Sequence, residues 1–128
     1  MGPDDGDGCP LLVIVDAANV VGSVPDGWWR DRRGAAERLR DRLAAGGLPG
    51  RAGAVEIVLV VEGAARGVAS VPGVRVESAP GSGDDHVAGL VAAAGRRPVL
   101  VVTADRELRR RVRDLGAEVA GPRTVRPA

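Results

Sequence analysis

Two aspartates come just past the ends of short apolar runs that have the composition of buried strands. The run at residues 11–15 leads into Asp16, and the run at residues 99–102 is followed three residues later by Asp105. A desolvated carboxylate needs a partner charge or hydrogen bonds, so such positions are costly without compensation. A third acidic position, the pair Asp84-Asp85, indicates that these carboxylates share one partner. A divalent cation is the simplest candidate, because carboxylate oxygens are its usual ligands.

Each of these side chains also has an ordinary structural explanation. Asp16 could accept hydrogen bonds from loop amides, and Asp105 is well placed to cap a following helix. Glu62 follows another apolar run at residues 55–61 and could be a solvated charge. Asn19 could hold a water or a phosphate, or it could only stabilise the turn after the first strand.

Helical geometry separates the neighbouring aspartates Asp84 and Asp85. Ser82 stands three residues ahead of Asp85, a spacing typical of a capping box at a helix start. At the helical period, Asp84 projects within about 70° of the apolar face and Asp85 points nearly the opposite way. We therefore expect Asp84 to face the sheet edge, although both acids could merely complement the helix dipole. The apolar face comprises Val87, Leu90, Val91 and Ala94.

The elements that must position these residues form an alternating pattern of strands and helices. After a loop at residues 16–27, Asp26 is the expected N-cap of a helix over residues 28–45, which stops at Gly46. A linker follows at residues 46–53. The strands are predicted at residues 11–15, 55–61, 74–76, 99–102 and 118–120, and the other helices at residues 64–68, 82–94 and 106–115.

Unbroken apolar strands that alternate with amphipathic helices predict an α/β fold with a parallel sheet covered on both faces. In such sheets, ligands bind beyond the carboxyl ends of the strands. Asp16, Glu62 and Asp105 all lie at those ends. Asp16 and Asp105 flank one crevice if the first and fourth strands are neighbours, which the residues alone do not show.

The length of 128 residues predicts a single domain. Residues 1–10 are predicted to be a flexible acidic tail and residues 122–128 a C-terminal tail. No apolar run approaches the roughly 20 residues that a membrane span needs. The acidic start does not resemble a secretory signal. A lone cysteine, Cys9, excludes an internal disulfide and a cysteine-based zinc site, so we expect a cytoplasmic protein.

The basic residues exclude several chemistries. The formal net charge is +1, and all 18 basic residues are arginine. Without lysine there is no phosphate-loop lysine, no Schiff base and no lysine of a receiver-type phosphorelay domain. The single histidine, His86, excludes a multi-histidine metal site and is expected at the surface. Tyr and Phe are absent, which removes most stacking platforms for single strands.

Trp28 and Trp29 fall on the predicted core face of the helix over residues 28–45, where packing is the default explanation. Arg30, Arg32 and Arg33 lie beside them. Cations in the first turns of a helix oppose its dipole, which is easier to understand if they meet phosphate. The arginines at residues 109–113 read as a solvated helix face. Arg106, directly after Asp105, is the better candidate for a substrate contact.

Four motifs, in this order, resemble the NYN domain of the PIN-like nuclease superfamily. They are a strand that ends in Asp with Asn three residues later, and a strand that ends in an acidic residue followed by Gly. Next come Gly-Ser-Gly-Asp-Asp at a helix start and the segment Val-Val-Thr-Ala-Asp-Arg-Glu-Leu. The resemblance spans roughly residues 11–119, and it assigns residues 11–121 to one PIN-like domain.

The resemblance implies a Rossmann-like three-layer fold with the strand order 3-2-1-4-5, in which strands 1 and 4 are neighbours. It also implies a nuclease that depends on Mg²⁺ or Mn²⁺ and usually acts on RNA. Relatives often have Asp where this chain has Glu62, so this longer side chain is also a candidate ligand. The positions that match the metal site and its helpers are Asp16, Asp84 or Asp85, Asp105, Asn19 and Thr103.

The resulting expectation is a metal-dependent ribonuclease, because carboxylate-held cations activate water and neutralise the charge that develops on a phosphodiester. Single-stranded and structured RNA are both candidate substrates, and a homodimer is compatible with the sequence. The alternatives are a non-catalytic nucleic-acid or protein-binding module, and a phosphatase or nucleotide pyrophosphatase. The expected catalytic residues are Asp16, Asp84, Asp105 and Asn19. The expected backbone contacts are Thr103, Arg106, Arg30 and Arg32.

Overall fold

Five parallel strands form one sheet in the order β3-β2-β1-β4-β5. The computed structural model describes residues 10–48 and 54–125. The predicted α/β class and the strand order 3-2-1-4-5 are confirmed. The strands are β1 (Leu11–Asp16), β2 (Val55–Val61), β3 (Val74–Ser78), β4 (Val99–Val102) and β5 (Glu118–Ala120).

Helices cover both faces of the sheet and connect its strands, except between β2 and β3. There, a 3₁₀ turn at Gly63–Ala65 stands where a helix over residues 64–68 was predicted. Alternate side chains of β1 enter two separate apolar cores, because side chains along a strand point to opposite faces. Val13 and Val15 pack with α1 and α2, whereas Leu12 and Ile14 pack with α3 and α4. The three-layer arrangement follows from this division. The helices are α1 (Ala17–Val21), α2 (Arg32–Gly46), α3 (Gly83–Ala93) and α4 (Arg106–Asp114).

The central strand β1 brings the candidate residues to one edge of the sheet. Its Val15 is in register with Val102 of β4, and Asp16 is in register with Val60 of β2. All three strands run in the same direction, so their carboxyl ends meet at this edge. Asp16 ends β1, while Glu62 follows β2 and Thr103 follows β4 directly.

The helix predicted over residues 28–45 starts four residues later than expected. α2 begins at Arg32, and Asp31 caps it by accepting a hydrogen bond from the Gly34 N–H at 2.9 Å. Asp26 and Asp31 are both suitable capping residues, and α2 uses Asp31, which directly precedes Arg32. The prediction that Asp26 caps this helix is therefore wrong.

A separate 3₁₀ turn, Trp28–Arg30, stands ahead of α2. Gly27 starts it in a left-handed conformation with φ of 86°, which a residue with a side chain rarely adopts. This turn takes both tryptophans off the helix. Trp28 is half-buried and Trp29 is 50% exposed, so the prediction that both lie on the core face of that helix is wrong.

Residues 17–21, predicted as loop, form the short helix α1. Asp16 is its N-cap, and Ala17, Val20 and Val21 are its buried residues. A helix of five residues is too short to show a helical period, so the sequence pattern could not predict α1. The helix helps to position the candidate site because Asp16 is its N-cap.

The described residues include the first part of the predicted C-terminal tail but almost none of the predicted N-terminal tail. Of the predicted N-terminal tail, residues 1–9 lie outside the described residues. Beyond the predicted boundary at residue 121, a 3₁₀ turn forms at Pro122–Thr124 and Val125 is buried in the core. Within the described ranges 10–48 and 54–125, no helix is both long and apolar enough to cross a membrane.

Candidate active site

Asp16 is a buried carboxylate held by two hydrogen bonds. It has 4% relative exposure at the junction of β1 and α1. Its Oδ2 accepts a hydrogen bond from the Thr103 hydroxyl at 3.0 Å, and its Oδ1 accepts a longer one from the Asn19 N–H at 3.4 Å. The second bond is the N-cap bond of α1, so local helix formation orients the carboxylate.

The surroundings of Asp16 raise its pKa to about 6 from the ordinary value of 3.8. Burial is the largest cause, because desolvation disfavours the charged form. Asp84 and Glu62 add repulsion and raise the pKa further, whereas the hydrogen bonds from Thr103 and Asn19 lower it. A carboxylate in this environment has a strong electrostatic preference for a nearby cation.

Thr103 links two of the candidate acids from beneath. Its hydroxyl donates to Asp16 and accepts a hydrogen bond from the Asp105 N–H at 3.1 Å. Thr103 is fully buried. This burial argues against the direct substrate contact that the sequence analysis predicts, and it makes Thr103 a positioning residue for Asp16.

Asn19 ties the end of β1 to the loop after β4. Its Oδ1 accepts a hydrogen bond from the Ala104 N–H at 2.7 Å. This contact supports the turn-stabilising explanation for Asn19. Its Nδ2 makes no hydrogen bond within the described part of the chain, so the same side chain also keeps two donors that could hold a phosphate oxygen.

Asp105 is the N-cap of α4, as its position predicts. Its Oδ1 accepts a hydrogen bond from the Leu108 N–H at 3.0 Å. Its Oδ2 has no hydrogen-bond partner among residues 10–48 and 54–125. Capping therefore uses one oxygen and leaves the other available, so a structural role and a ligand role are compatible.

Asp84 and Asp85 point in different directions from the first turn of α3. Asp84 is partly buried, and burial and the charges of Asp105 and Glu62 raise its pKa. Asp85 instead lies 3.0 Å from Arg111 of α4, with its side chain 77% exposed. The helical period predicts this division, and the arrangement argues against Asp85 as the alternative metal ligand.

Glu62 approaches the same edge from β2. Its Oε1 accepts a hydrogen bond from the Gly83 N–H at 3.0 Å, at the first residue of α3. A Cβ atom on Gly83 would overlap this carboxylate oxygen, so the approach requires glycine. Sequence reasoning missed Gly83, whose only signal was its place inside the Gly-Ser-Gly-Asp-Asp motif.

The acids share one edge without forming a closed coordination shell. In the described ranges, no three His, Cys, Asp or Glu side chains are arranged to hold a metal ion. Asp16, Asp84, Asp105 and Glu62 nevertheless affect one another electrostatically. Their oxygens are the hard donors that Mg²⁺ prefers. The chemistry of the donor set therefore fits such an ion.

The three arginines predicted to contact the RNA backbone are all exposed. Arg106 follows Asp105 directly. The Arg30 guanidinium lies 5.9 Å from the centroid of the Trp29 ring, and that of Arg32 lies 5.3 Å from the Trp28 ring. These distances are within the range of cation–π attraction.

Two other polar residues have structural partners. Arg109 Nε donates to the Thr103 carbonyl at 2.8 Å, which braces the loop after β4. Sequence reasoning had placed Arg109 on a solvated face and missed this contact. His86 lies 2.7 Å from Glu77 Oε1, a surface pairing that agrees with its predicted rim position.

Comparison with known proteins identifies a shared fold. No protein-family model matches the sequence, and no curated protein matches it significantly. Among solved structures, the chain is similar to Rae1 (YacP) from Bacillus subtilis, with a TM-score of 0.68 and 19% sequence identity. The match covers 89% of this chain and 71% of that chain. At this identity the likeness establishes the fold, and the chemistry must be argued from the residues themselves.

Proposed function

We propose that this protein is a Mg²⁺- or Mn²⁺-dependent ribonuclease that hydrolyses RNA phosphodiesters. The observation that carries the proposal is the buried Asp16 carboxylate, whose pKa is raised to about 6 beside Asp84 and Glu62. A fold gains little from concentrating negative charge at a buried strand end unless that charge binds something. The motif resemblance to NYN domains supports the same chemistry.

The residues at the edge would divide the work. Asp16, Asp84 and Asp105 would hold the ion. When bound, Mg²⁺ or Mn²⁺ would activate water and neutralise charge that develops on the phosphate. Asn19 Nδ2 would donate to a phosphate oxygen, and Thr103 would keep the Asp16 carboxylate oriented.

Exposed arginines favour a polymeric substrate over a small phosphate ester. Arg106, Arg30 and Arg32 are exposed, and each can bind a backbone phosphate without reading sequence. A phosphatase or pyrophosphatase would need to enclose only one or two phosphates.

A cleavage assay tests the proposal directly. Labelled single-stranded RNA is incubated with Mn²⁺, Mg²⁺ or EDTA, and with the variants Asp16→Asn and Asp105→Asn. Asp41→Asn is the matched control, because Asp41 is an exposed residue of α2 that pairs with Arg40 at 2.9 Å. We expect cleavage only with metal, and only by the native protein and the control. Intact RNA in every lane, with binding retained, would favour the non-catalytic module.

Thermal melting tests the metal site without any substrate. An ion at about 100 times its dissociation constant stabilises the folded state by about 2.7 kcal/mol. We expect Mn²⁺ to raise the melting temperature of the native protein and of Asp41→Asn. The rise should be lost in Asp16→Asn and Asp84→Asn. Equal responses from all four proteins would contradict a metal site at this edge.

A further inference from the structure

A small, open cleft lies beside the carboxylates. It begins one residue from the buried acid, because Ala17 directly follows Asp16. The mechanism proposed above makes no use of its apolar walls. The lining residues that matter here are Ala17, Ala18, Trp28, Arg32, Glu62 and Ala65.

Small alanine side chains line the cleft together with one aromatic ring. That ring belongs to Trp28, which is half-buried and packs against the core. A Cβ on Gly22 would lie 3.6 Å from the Trp28 ring, so the ring sits close to the backbone there. Trp29 contacts it edge-on, with ring centroids 5.9 Å apart. A tryptophan held in this way can stack on a nucleobase with little further loss of freedom.

Two charged side chains complete the cleft. The Arg32 guanidinium, 5.3 Å from the Trp28 ring centroid, provides a positive charge for the phosphate attached to an incoming base. Glu62 uses Oε1 for the Gly83 N–H, and its Oε2 makes no hydrogen bond within the described residues. An ionised carboxylate only accepts hydrogen bonds, so it favours ligands that present N–H groups.

We propose that this cleft binds one unpaired nucleobase of the RNA substrate, stacked on Trp28 with its N–H edge toward Glu62. Guanine is preferred, because its N1–H and N2 amino group offer two adjacent donors to one carboxylate. The proposal rests on the proposed ribonuclease function and narrows its substrate to single-stranded RNA. A base within a duplex is stacked and paired, so it cannot enter the cleft.

Tryptophan fluorescence tests occupancy of the cleft without cleavage. The chain has two tryptophans and no Tyr or Phe, so Trp29→Phe leaves Trp28 as the reporter. The titrants are the hexanucleotides UUUGUU and UUUUUU, in EDTA. We expect saturable quenching of Trp28, with tighter binding of UUUGUU. In Trp28→Phe, where Trp29 is the reporter, binding should weaken. Absence of saturable quenching of Trp28 by either hexamer would overturn the proposal.

Affinity measurements test the walls separately, in an Asp16→Asn background that prevents turnover. Ala18 is exposed in α1, so Ala18→Leu fills the cleft without disturbing the core. Ala44→Leu, at an exposed position of α2 outside the cleft, is the matched control. We expect Trp28→Ala and Ala18→Leu to bind UUUGUU about tenfold more weakly, and the control to bind normally. Unchanged affinity in Ala18→Leu would overturn the proposal, even if Trp28→Ala fails to fold.

The two proposals fail in different ways. Cleavage of RNA by the native protein, combined with normal binding by Ala18→Leu, would remove the base-binding cleft and leave the nuclease standing. Selective binding of UUUGUU that depends on Trp28, without cleavage under any metal condition, would keep the cleft and remove the nuclease.

Discussion

The Thr103 hydroxyl donates a hydrogen bond to the Asp16 carboxylate across 3.0 Å, although the two residues are 87 positions apart in the chain. The same hydroxyl accepts the Asp105 N–H. One buried side chain therefore sets the relative positions of two candidate acids. It does so at the junction between β1 and β4, where a parallel sheet of this order presents its ligand-binding edge.

Asp16→Asn should stabilise the protein at neutral pH. The folded-state pKa of about 6 lies above the ordinary 3.8, so the folded state binds the proton more tightly than the unfolded chain. The stability that protonated Asp16 contributes is therefore fully present below about pH 4 and is lost as the pH rises through 6. The difference between the two pKa values corresponds to about 3 kcal/mol of unfolding free energy.

Denaturant unfolding from pH 4 to 8, without divalent cations, measures this effect. The asparagine variant should be more stable than the native protein at pH 7, and the gap should close near pH 4. Asp84, whose pKa is also raised, contributes a slope of the same sign in both proteins. A native protein that gains stability between pH 4 and 7 would contradict the burial of an unpaired Asp16 charge.

Thr103→Val should lower stability and weaken cleavage together. Valine fills the same space but provides no hydroxyl, so Asp16 and the Asp105 N–H each lose a partner. The loss from unsatisfied buried groups is about 1–3 kcal/mol. The pKa of Asp16 should rise, because this hydrogen bond lowers it. Thr103→Ser keeps the hydroxyl, so the midpoint of its pH-dependent stability should match that of the native protein.

Asp84→Asn and Asp85→Asn should differ sharply, although the residues are neighbours. Asp84 lies among the other acids, whereas Asp85 pairs with Arg111 at the surface. Loss of a direct ligand should lower the cleavage rate by more than about a hundredfold, since even outer contacts cost 10–100-fold. Single-turnover cleavage in Mn²⁺ measures both. Comparable losses would mean that Asp85 also serves the site.

Gly83→Ala should displace Glu62 without unfolding α3. The new Cβ would overlap Glu62 Oε1, the end of a side chain that can rotate away. Gly89→Ala is the control on the same helix, because a Cβ there meets nothing within 4 Å. The control should gain up to about 1 kcal/mol of stability from helix propensity and keep its activity. Gly83→Ala should instead bind UUUGUU more weakly in the Asp16→Asn background, as should Glu62→Gln.

Local signals were sufficient for most of the fold. The apolar runs predict all five strands, and Ser82 and Asp105 predict the starts of α3 and α4, because capping acts within one helical turn. The strand order came from the motif resemblance, since pairing between distant strands leaves little trace in local composition.

The first residue of α2 could not be predicted from local rules, because two residues are suitable as its N-cap. Asp26 and Asp31 can both cap a helix, and the left-handed Gly27 between them allows a separate turn. The tryptophans then fall on that turn. The prediction that they face the core assumed that both lie in one long helix, and the structure has a separate turn there instead.

The chemical types at the candidate site were predictable, and their connections were not. Asp16, Asp84 and Asp105 stand out by composition and position. The contacts of Asn19 with Ala104 and of Glu62 with Gly83 join residues 85 and 21 positions apart. Such contacts depend on how strands and helices dock, so only the folded chain reveals which oxygen atoms are used.

The bond between β1 and the loop after β4 also orders events during synthesis. A growing chain that has not yet released residues 99–105 lacks Thr103, Asp105 and the strand that holds them against Asp16. Long-range pairing of this kind forms after local helices and neighbouring strands. The nascent protein therefore has no complete carboxylate edge until residues 99–105 have emerged from the ribosome.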